Sequence, residues 1–278
     1  MGAAPARVIE ACDRRLTLGP RTLVMGILNV TPDSFSDGGL SATPEDAVAN
    51  GRHMAAEGAD ILDVGGESTR PGHTPVPADQ EWARVAPVIK ALARDDMPPV
   101  SIDTWKAEVA AKAVMAGAVI INDVWGLTRD TDMARVIADT GAAAVLMHNR
   151  ETIDGTLDIV QDMLAFFKRA LEKAEKAGVK RERIVLDPGI GFGKTFEQNL
   201  STQKNLSALR ALDQPLLLGT SRKSFIGRII ETTTDERLPG TIASNAIGIL
   251  AGVEIIRVHD VAAHIQAARV TEAIRDAQ

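Results

Sequence analysis

The chain has 278 residues, 45% hydrophobic and 24% charged, with a formal net charge of −6 and only 3% aromatic residues. This is the composition of an ordinary globular protein, long enough for one large α/β barrel occupying residues 1–278 as a single domain. Its dispersed, slightly acidic charge and scarce aromatics exclude nucleic acid as the main partner, while leaving room for an anionic small substrate. A single cysteine, Cys12, excludes an intramolecular disulfide, and no apolar run has the length of a membrane span. The start, MGAAPARVIE, lacks both a signal-peptide core and a myristoylation pattern, so cytoplasmic residence is expected.

In chain order, residues 1–21 form an N-terminal arm, in which Arg7 to Arg21, with Gly19 and Pro20 for a turn, is expected to make a short hairpin across a barrel base. Leu23 to Leu28 is continuously apolar, as in a strand covered on both faces, and it stops at Asn29. The following loop, to Gly39, is rich in oxygen donors and suits a ligand, a metal or a solvated connection. The spacing predicts eight strands: Leu23 to Asn29, Ile61 to Gly65, Val100 to Asp103, Val119 to Asp123, Ala143 to His148, Ile184 to Asp187, Leu216 to Thr220 and Ile255 to His259. Amphipathic segments separate them, the clearest from Leu157 to Ala177, where Leu157, Val160, Leu164, Phe167, Leu171 and Ala174 recur at helical steps before Gly178. Repeated βα units joined by right-handed crossovers close into an eight-stranded parallel (β/α)8 barrel.

Reactive side chains fall at the C-terminal ends of these strands: Asn29, Glu67 to Arg70, Asp103, Asn122 with Asp123, His148, Asp187, Ser221 to Lys223, and Arg257 with His259. In such a barrel those ends share one face, so residues spread over more than two hundred positions surround one cavity. No His or Cys cluster has the spacing of a structural zinc site.

The segment MGILNVTPDSFSDGG at 25–39 resembles the first signature of the dihydropteroate synthases. GGESTRPG at 65–72, SIDTWK at 101–106, INDV at 121–124, LMH at 146–148, LDPGIGFGK at 186–194, GTSRKSFIG at 219–227 and RVHDV at 257–261 resemble further motifs of that family, in family order. The resemblance covers nearly the whole chain. It implies a TIM barrel, bound Mg2+, a homodimer formed through helices away from the active face, and sensitivity to sulfonamides. It also implies two substrates, 6-hydroxymethyl-7,8-dihydropterin diphosphate and p-aminobenzoate.

A pterin edge alternates donors and acceptors, so a buried site needs carboxylates and an amide; Asp103, Asn122 and Asp187 meet that need. By resemblance they grip the pterin, Lys223 reaches ring acceptors, and Phe192 or Met147 adds apolar contact. Arg257 and His259, two positions apart on one strand, form an expected clamp for the diphosphate. By resemblance Asn29 gives an oxygen to Mg2+, while Asp33, Phe35, Thr69, Arg70, Pro71, Ser221, Arg222 and Ser224 build the p-aminobenzoate end and lid, with Arg70 also near the diphosphate. Blander roles stand beside these: Asp103 or Asp187 as a helix N-cap, His259 as a buried hydrogen-bonding histidine, Met147 as core.

Two other readings are a pterin-binding methyltransferase domain, which would lack the combined STRPG, SRKS and RVHD motifs, and a non-catalytic pterin-binding relative, which would lose lid or clamp residues. A sulfonamide-resistant branch would alter the first two loops and the segment around DPG, which here have the ordinary form. Trp125 after INDV, and the segment from Asn149 to Gly155 after LMH, depart from the common family pattern.

Overall fold

The computed structural model describes residues 6–31, 43–68 and 75–277. The chain opens with antiparallel strands β1 (Arg7–Ala11) and β2 (Arg14–Leu18). Their register pairs Ala11 with Arg14, so the turn is Cys12 and Asp13, with Cys12 at φ 53°. The predicted hairpin is present, but its turn is not at Gly19 and Pro20, which lie after β2 in the connection to the barrel. A two-residue hairpin turn matches strand twist when its central residues take positive φ, and the chain meets this with Cys12.

Eight parallel strands follow: β3 (Leu23–Asn29), β4 (Ile61–Gly65), β5 (Val100–Asp103), β6 (Ile120–Asp123), β7 (Ala143–Met147), β8 (Ile184–Asp187), β9 (Leu217–Leu218) and β10 (Ile255–Val258). They pair in the order β8-β7-β6-β5-β4-β3-β10-β9, and a parallel bridge between Leu186 and Leu216 joins the two outer members. Around them lie α1 (Pro44–Ala56), α2 (Ala78–Leu92), α3 (Ala107–Met115), α4 (Met133–Thr140), α5 (Ile159–Lys176), α6 (Phe196–Lys204), α7 (Ser224–Ile230), α8 (Leu238–Leu250) and α9 (Val261–Arg275). This is a (β/α)8 TIM barrel with an N-terminal hairpin.

Four predicted strands coincide with observed ones, and three differ by one residue at an end. The segment predicted from Leu216 to Thr220 is reduced to two residues: Leu216 gives its amide to the Glu254 carboxylate at 2.8 Å and makes only an isolated bridge to Leu186, and Gly219 and Thr220 lie beyond the last pair with β10. The helix predicted from Leu157 begins at Ile159, where the Asp158 carboxylate accepts from the Val160 and Gln161 amides at 3.0 and 3.2 Å.

Alternation along the strands divides the apolar residues into two layers. Val24, Leu28, Leu62, Val64, Val100, Ile102 and Ile121 face the helices. Gly26 belongs to this outer face, where a Cβ would stand 2.9 Å from Met54 Sδ of α1, so the helix reaches the sheet only over a glycine. Leu23, Met25, Ile61, Ile120, Val145, Val185, Leu217 and Ile255 point into the barrel and meet Ile9, Ala11, Leu16 and Leu18 of the hairpin. The hairpin thus plugs the base with apolar side chains, and the inward positions above this layer carry Asp63, Asp103, Asn122, Asp187 and Arg257. Leu18 is fully buried in the plug, so Leu18→Ala is expected to cost about 2–5 kcal/mol in denaturant unfolding, with substrate KM values unchanged.

Candidate active site

Arg257 organises the floor of the pocket. From β10 its Nε donates to Asp63 Oδ2 of β4 and its second guanidinium nitrogen to Asp103 Oδ2 of β5, both at 2.6 Å. Asn122 of β6 donates its amide to the same Asp63 oxygen at 3.0 Å. The other carboxylate oxygen of each aspartate, Asp63 Oδ1 and Asp103 Oδ1, is buried and has no hydrogen-bond partner among the described residues. Buried acceptors without donors are costly; here two stand together above an apolar base. Burial pushes Asp103 up to about 7 against the pull of Arg257, and the Asp63 and Glu81 charges push the same way. Asn29 ends β3 in the ladder row Asn29, Gly65, Asp103, Asn122. A Cβ built on Gly65 would lie 3.6 Å from both Asn29 Oδ1 and Asp103 Cβ, which sets the amide oxygen beside the pocket edge.

The wall opposite is the loop after β8. Asp187 is buried, and its Oδ1 accepts from the Gly189 amide at 2.7 Å; burial raises its pKa to about 6, opposed by that amide and by Lys223, Arg257 and Lys194. Gly189 has φ 66°, and a Cβ there would sit 2.0 Å from the His148 carbonyl oxygen, so the turn admits only glycine. Met147 is buried beneath this turn, and Phe192 presents its ring to Lys223, whose Nζ stands 4.1 Å from the ring centroid. His148 is buried between Lys194 Nζ, 2.8 Å from Nδ1, and Asp162 Oδ2, 3.0 Å from Nε2. Burial and the Lys194 charge take its pKa down to about 3, so the ring is neutral and donates from Nε2 to Asp162.

Across the mouth, the Ser221 hydroxyl accepts from the His259 backbone N–H at 3.1 Å and lies 2.9 Å from His259 Nδ1. A hydroxyl held in this way can give its proton to Nδ1, and in that tautomer His259 carries Nε2–H as a donor. Burial, with Arg257 and Arg222 nearby, lowers the His259 pKa to about 3, so this donor is uncharged at neutral pH. Arg222, at φ 55°, makes a two-point ion pair with Asp260 at 3.1 and 2.7 Å, and Ser224 is exposed at the start of α7.

Asp33, Phe35, Thr69, Arg70 and Pro71, together with most of the loops from Asn29 to Gly39 and from Glu67 to His73 whose Gly and Pro hinges suit a mobile lid, lie outside the described residues. The root of the second loop is described: Glu67 pairs with Lys106, which also pairs with Glu81 of α2, all three nearly buried. Burial raises Glu81 despite Lys106. At the rim, Arg129 lies between two indoles, 4.9 Å from the Trp105 ring centroid and 4.6 Å from that of Trp125. Trp125 therefore stands at the mouth and not under the pocket floor; its turn is held by Asp123, which accepts from the Trp125 and Leu127 amides at 2.9 and 2.7 Å.

The structure thus brings Asp103, Asn122, Asp187, Lys223 and Arg257 to one pocket. Arg257 turns inward onto Asp63 and Asp103, while His259 is engaged with Ser221. Of the blander roles, Asp187 does hold a turn amide, His259 does hydrogen-bond locally, and Asp103 directs its carboxylate to Arg257. Sequence reasoning missed Asp63, although a lone carboxylate inside an apolar strand, two residues before Gly65, was a signal for an inward buried charge. It also assigned nothing to Lys194, hidden at the end of a glycine-rich motif.

A profile of the pterin binding enzyme family matches residues 25–259. A dihydropteroate synthase of Clostridium beijerinckii is 49% identical over 262 residues, covering 94% of this chain and 97% of that protein. A Xanthomonas albilineans dihydropteroate synthase solved with 4-aminobenzoic acid superposes with a TM-score of 0.93 at 42% identity, covering 99% of this chain and 100% of the other. A Yersinia pestis dihydropteroate synthase in a sulfonamide complex gives 0.91 at 38% identity, over 98% and 100%. With a matched profile spanning the barrel and relatives of this identity along nearly their full length, the chain belongs to the pterin-binding enzymes and, among them, to the dihydropteroate synthases.

Proposed function

We propose a division of labour for the condensation this chain performs, in which 6-hydroxymethyl-7,8-dihydropterin diphosphate and p-aminobenzoate become 7,8-dihydropteroate and diphosphate. The observation that carries it is the pair of buried, donorless oxygens Asp63 Oδ1 and Asp103 Oδ1. They are placed to accept the N–H groups of a flat heterocycle, with Asn122 and Asp187 alongside to give and accept further bonds. Lys223, held against Phe192, faces the ring acceptors. Arg257 bridges Asp63 and Asp103 and pulls Asp103 toward its charged form. The pocket excludes water from the methylene carbon while its bond to the diphosphate oxygen breaks, and the aromatic amine then attacks that carbon and loses a proton.

Departure of the diphosphate calls for donors, and His259 Nε2–H at the mouth, Arg257 from the floor, and Arg70 are assigned to it. Asn29 is assigned to Mg2+. The donor set fits, since Mg2+ keeps most of its waters and binds through few protein oxygens plus substrate phosphates, and among the described residues no group of three or more His, Cys, Asp or Glu is arranged as a metal cage. When bound, the ion neutralises charge developing on the leaving diphosphate. Asp33, Phe35, Thr69, Pro71, Ser221, Arg222 and Ser224 are assigned to the p-aminobenzoate end. Arg222 acts there as a strut through Asp260.

The test is inhibition kinetics: a sulfonamide is expected to raise the KM for p-aminobenzoate without lowering kcat, and chelation of Mg2+ to abolish turnover until the ion is restored. Noncompetitive inhibition, or full turnover under chelation, counts against these assignments.

The chain is proposed to act in the cytoplasm; among the described residues no helix is long and apolar enough to cross a membrane. It is also proposed to pair with a second copy. Ile229 and Ile230 of α7, Ile247 and Leu250 of α8, and Val270 and Ile274 of α9 are exposed apolar side chains on neighbouring helices, an arrangement that favours burial in a partner. Light scattering at micromolar concentration is expected to give twice 29.6 kDa; a monomer mass counts against the dimer.

A further inference from the structure

Lys194 is 5% exposed, and among the described residues none of its hydrogen bonds goes to a carboxylate. Its ammonium donates to the carbonyls of Gly189 at 2.8 Å and Phe192 at 3.1 Å and to His148 Nδ1 at 2.8 Å, with the His148 carbonyl at 3.4 Å. Burying an ammonium without an ion pair is unfavourable, and burial lowers this one to about 7, opposed by the charges of Asp187 and Asp162. A group kept at that cost calls for a reason beyond filling space.

The bonds supply one. Gly189 gives its amide to Asp187 and its carbonyl to Lys194, so a single residue links the carboxylate to the ammonium. Phe192, the platform under Lys223, is held by its carbonyl to the same Nζ. The assembly is tied to α5, because His148 passes from Lys194 to Asp162, and Asp162 is fixed again by Arg150 at 2.9 Å. Loop 188–193 is thus anchored from within by Lys194 and from α6 by Asn199 Oδ1, which accepts from the Gly191 amide at 2.6 Å, and the Lys194 bonds fix the turn between Asp187 and Phe192.

We propose that Lys194 is a positioning residue for pterin binding: without touching the substrate, it holds Gly189, Phe192 and His148 so that Asp187 and Phe192 stand where the heterocycle is gripped. This rests on reading the pocket as the pterin site. A loop anchor that serves the pterin alone has a selective signature. It alters affinity for one substrate, acts through Asp187, and leaves the p-aminobenzoate end unaffected.

The experiment measures binding of 6-hydroxymethylpterin by calorimetry, and KM for both substrates, in wild type, Lys194→Met, Asp187→Asn and the double variant. Lys194→Met is expected to weaken the pterin by about tenfold or more, to change the p-aminobenzoate KM by less than about twofold, and to have little further effect once Asp187 is replaced. Should Lys194→Met not fold, Lys194→Gln, which keeps an N–H2 donor without the charge, gives the same comparison. Unchanged pterin affinity, equal losses for both substrates, or full additivity with Asp187→Asn overturns the proposal. Wild-type protein that makes no dihydropteroate overturns the reading of the pocket instead.

Discussion

Arg257→Ala is expected to lower turnover by about a hundredfold to a thousandfold and to destabilise the fold by about 3–5 kcal/mol at neutral pH. Two causes act together. The guanidinium is the only cation hydrogen-bonded to Asp63 and Asp103 among the described residues, so its loss leaves two buried carboxylates side by side. One of them then takes a proton, and a protonated carboxyl no longer offers the pterin two acceptors. The loss of stability separates this account from one in which Arg257 only meets diphosphate, which predicts lost activity with an unchanged unfolding midpoint. Arg257→Lys restores charge but cannot bridge both aspartates with a planar fork, and only partial rescue is expected.

Pterin affinity is expected to fall steeply on acidification, by about tenfold per pH unit for each carboxylate that must ionise. Burial raises Asp103 to about 7 and Asp187 to about 6 in the free protein. Ring N–H donors favour the ionised forms, so the bound pKa values lie lower and affinity is lost as pH falls through the free-protein values. The free fold has the opposite sign. An acid raised above its unfolded value stabilises most below that value, and the contribution is lost as pH rises through the folded one. Ligand-free protein therefore gives up part of its stability between about pH 4 and pH 7 at these two residues, and the pterin returns it. His148 and His259 are held down at about 3 and stay neutral throughout, so no histidine limb is expected near pH 6.5. Calorimetry across pH checks this: Asp187→Asn should remove the lower part of the acid limb, and an unchanged limb contradicts the assignment.

Much of the barrel was legible because its buried parallel strands are short, largely apolar runs, several of them ending in a polar residue, as Leu23–Asn29, Val100–Asp103 and Ile184–Asp187 do. The hairpin turn was misplaced because Gly19 and Pro20 are the stronger local signal, whereas the chain turns at Cys12 and Asp13. Strand β9 was overextended because nothing local to Leu216–Thr220 reveals that the Leu216 amide is taken by the Glu254 carboxylate, 38 positions away.

In the site, Asp103, Asn122, Asp187, Lys223 and Arg257 were legible as polar groups at strand ends. Their pairing was not. Arg257 meets Asp63 across 194 positions, a contact that only barrel closure creates, and so the residue proposed to clamp the diphosphate is also the counter-ion of the pocket floor. Lys194 escaped notice for a similar reason: its acceptors are mostly backbone carbonyls, which exist only once the loop has its positive-φ turns.

The most direct measurement is diphosphate release from the pterin ester, followed with and without p-aminobenzoate in the presence of Mg2+. The account predicts release coupled to dihydropteroate formation, saturable in p-aminobenzoate and lost in Arg257→Ala. Pterin ester bound without turnover, or diphosphate released with no condensed product, would contradict it.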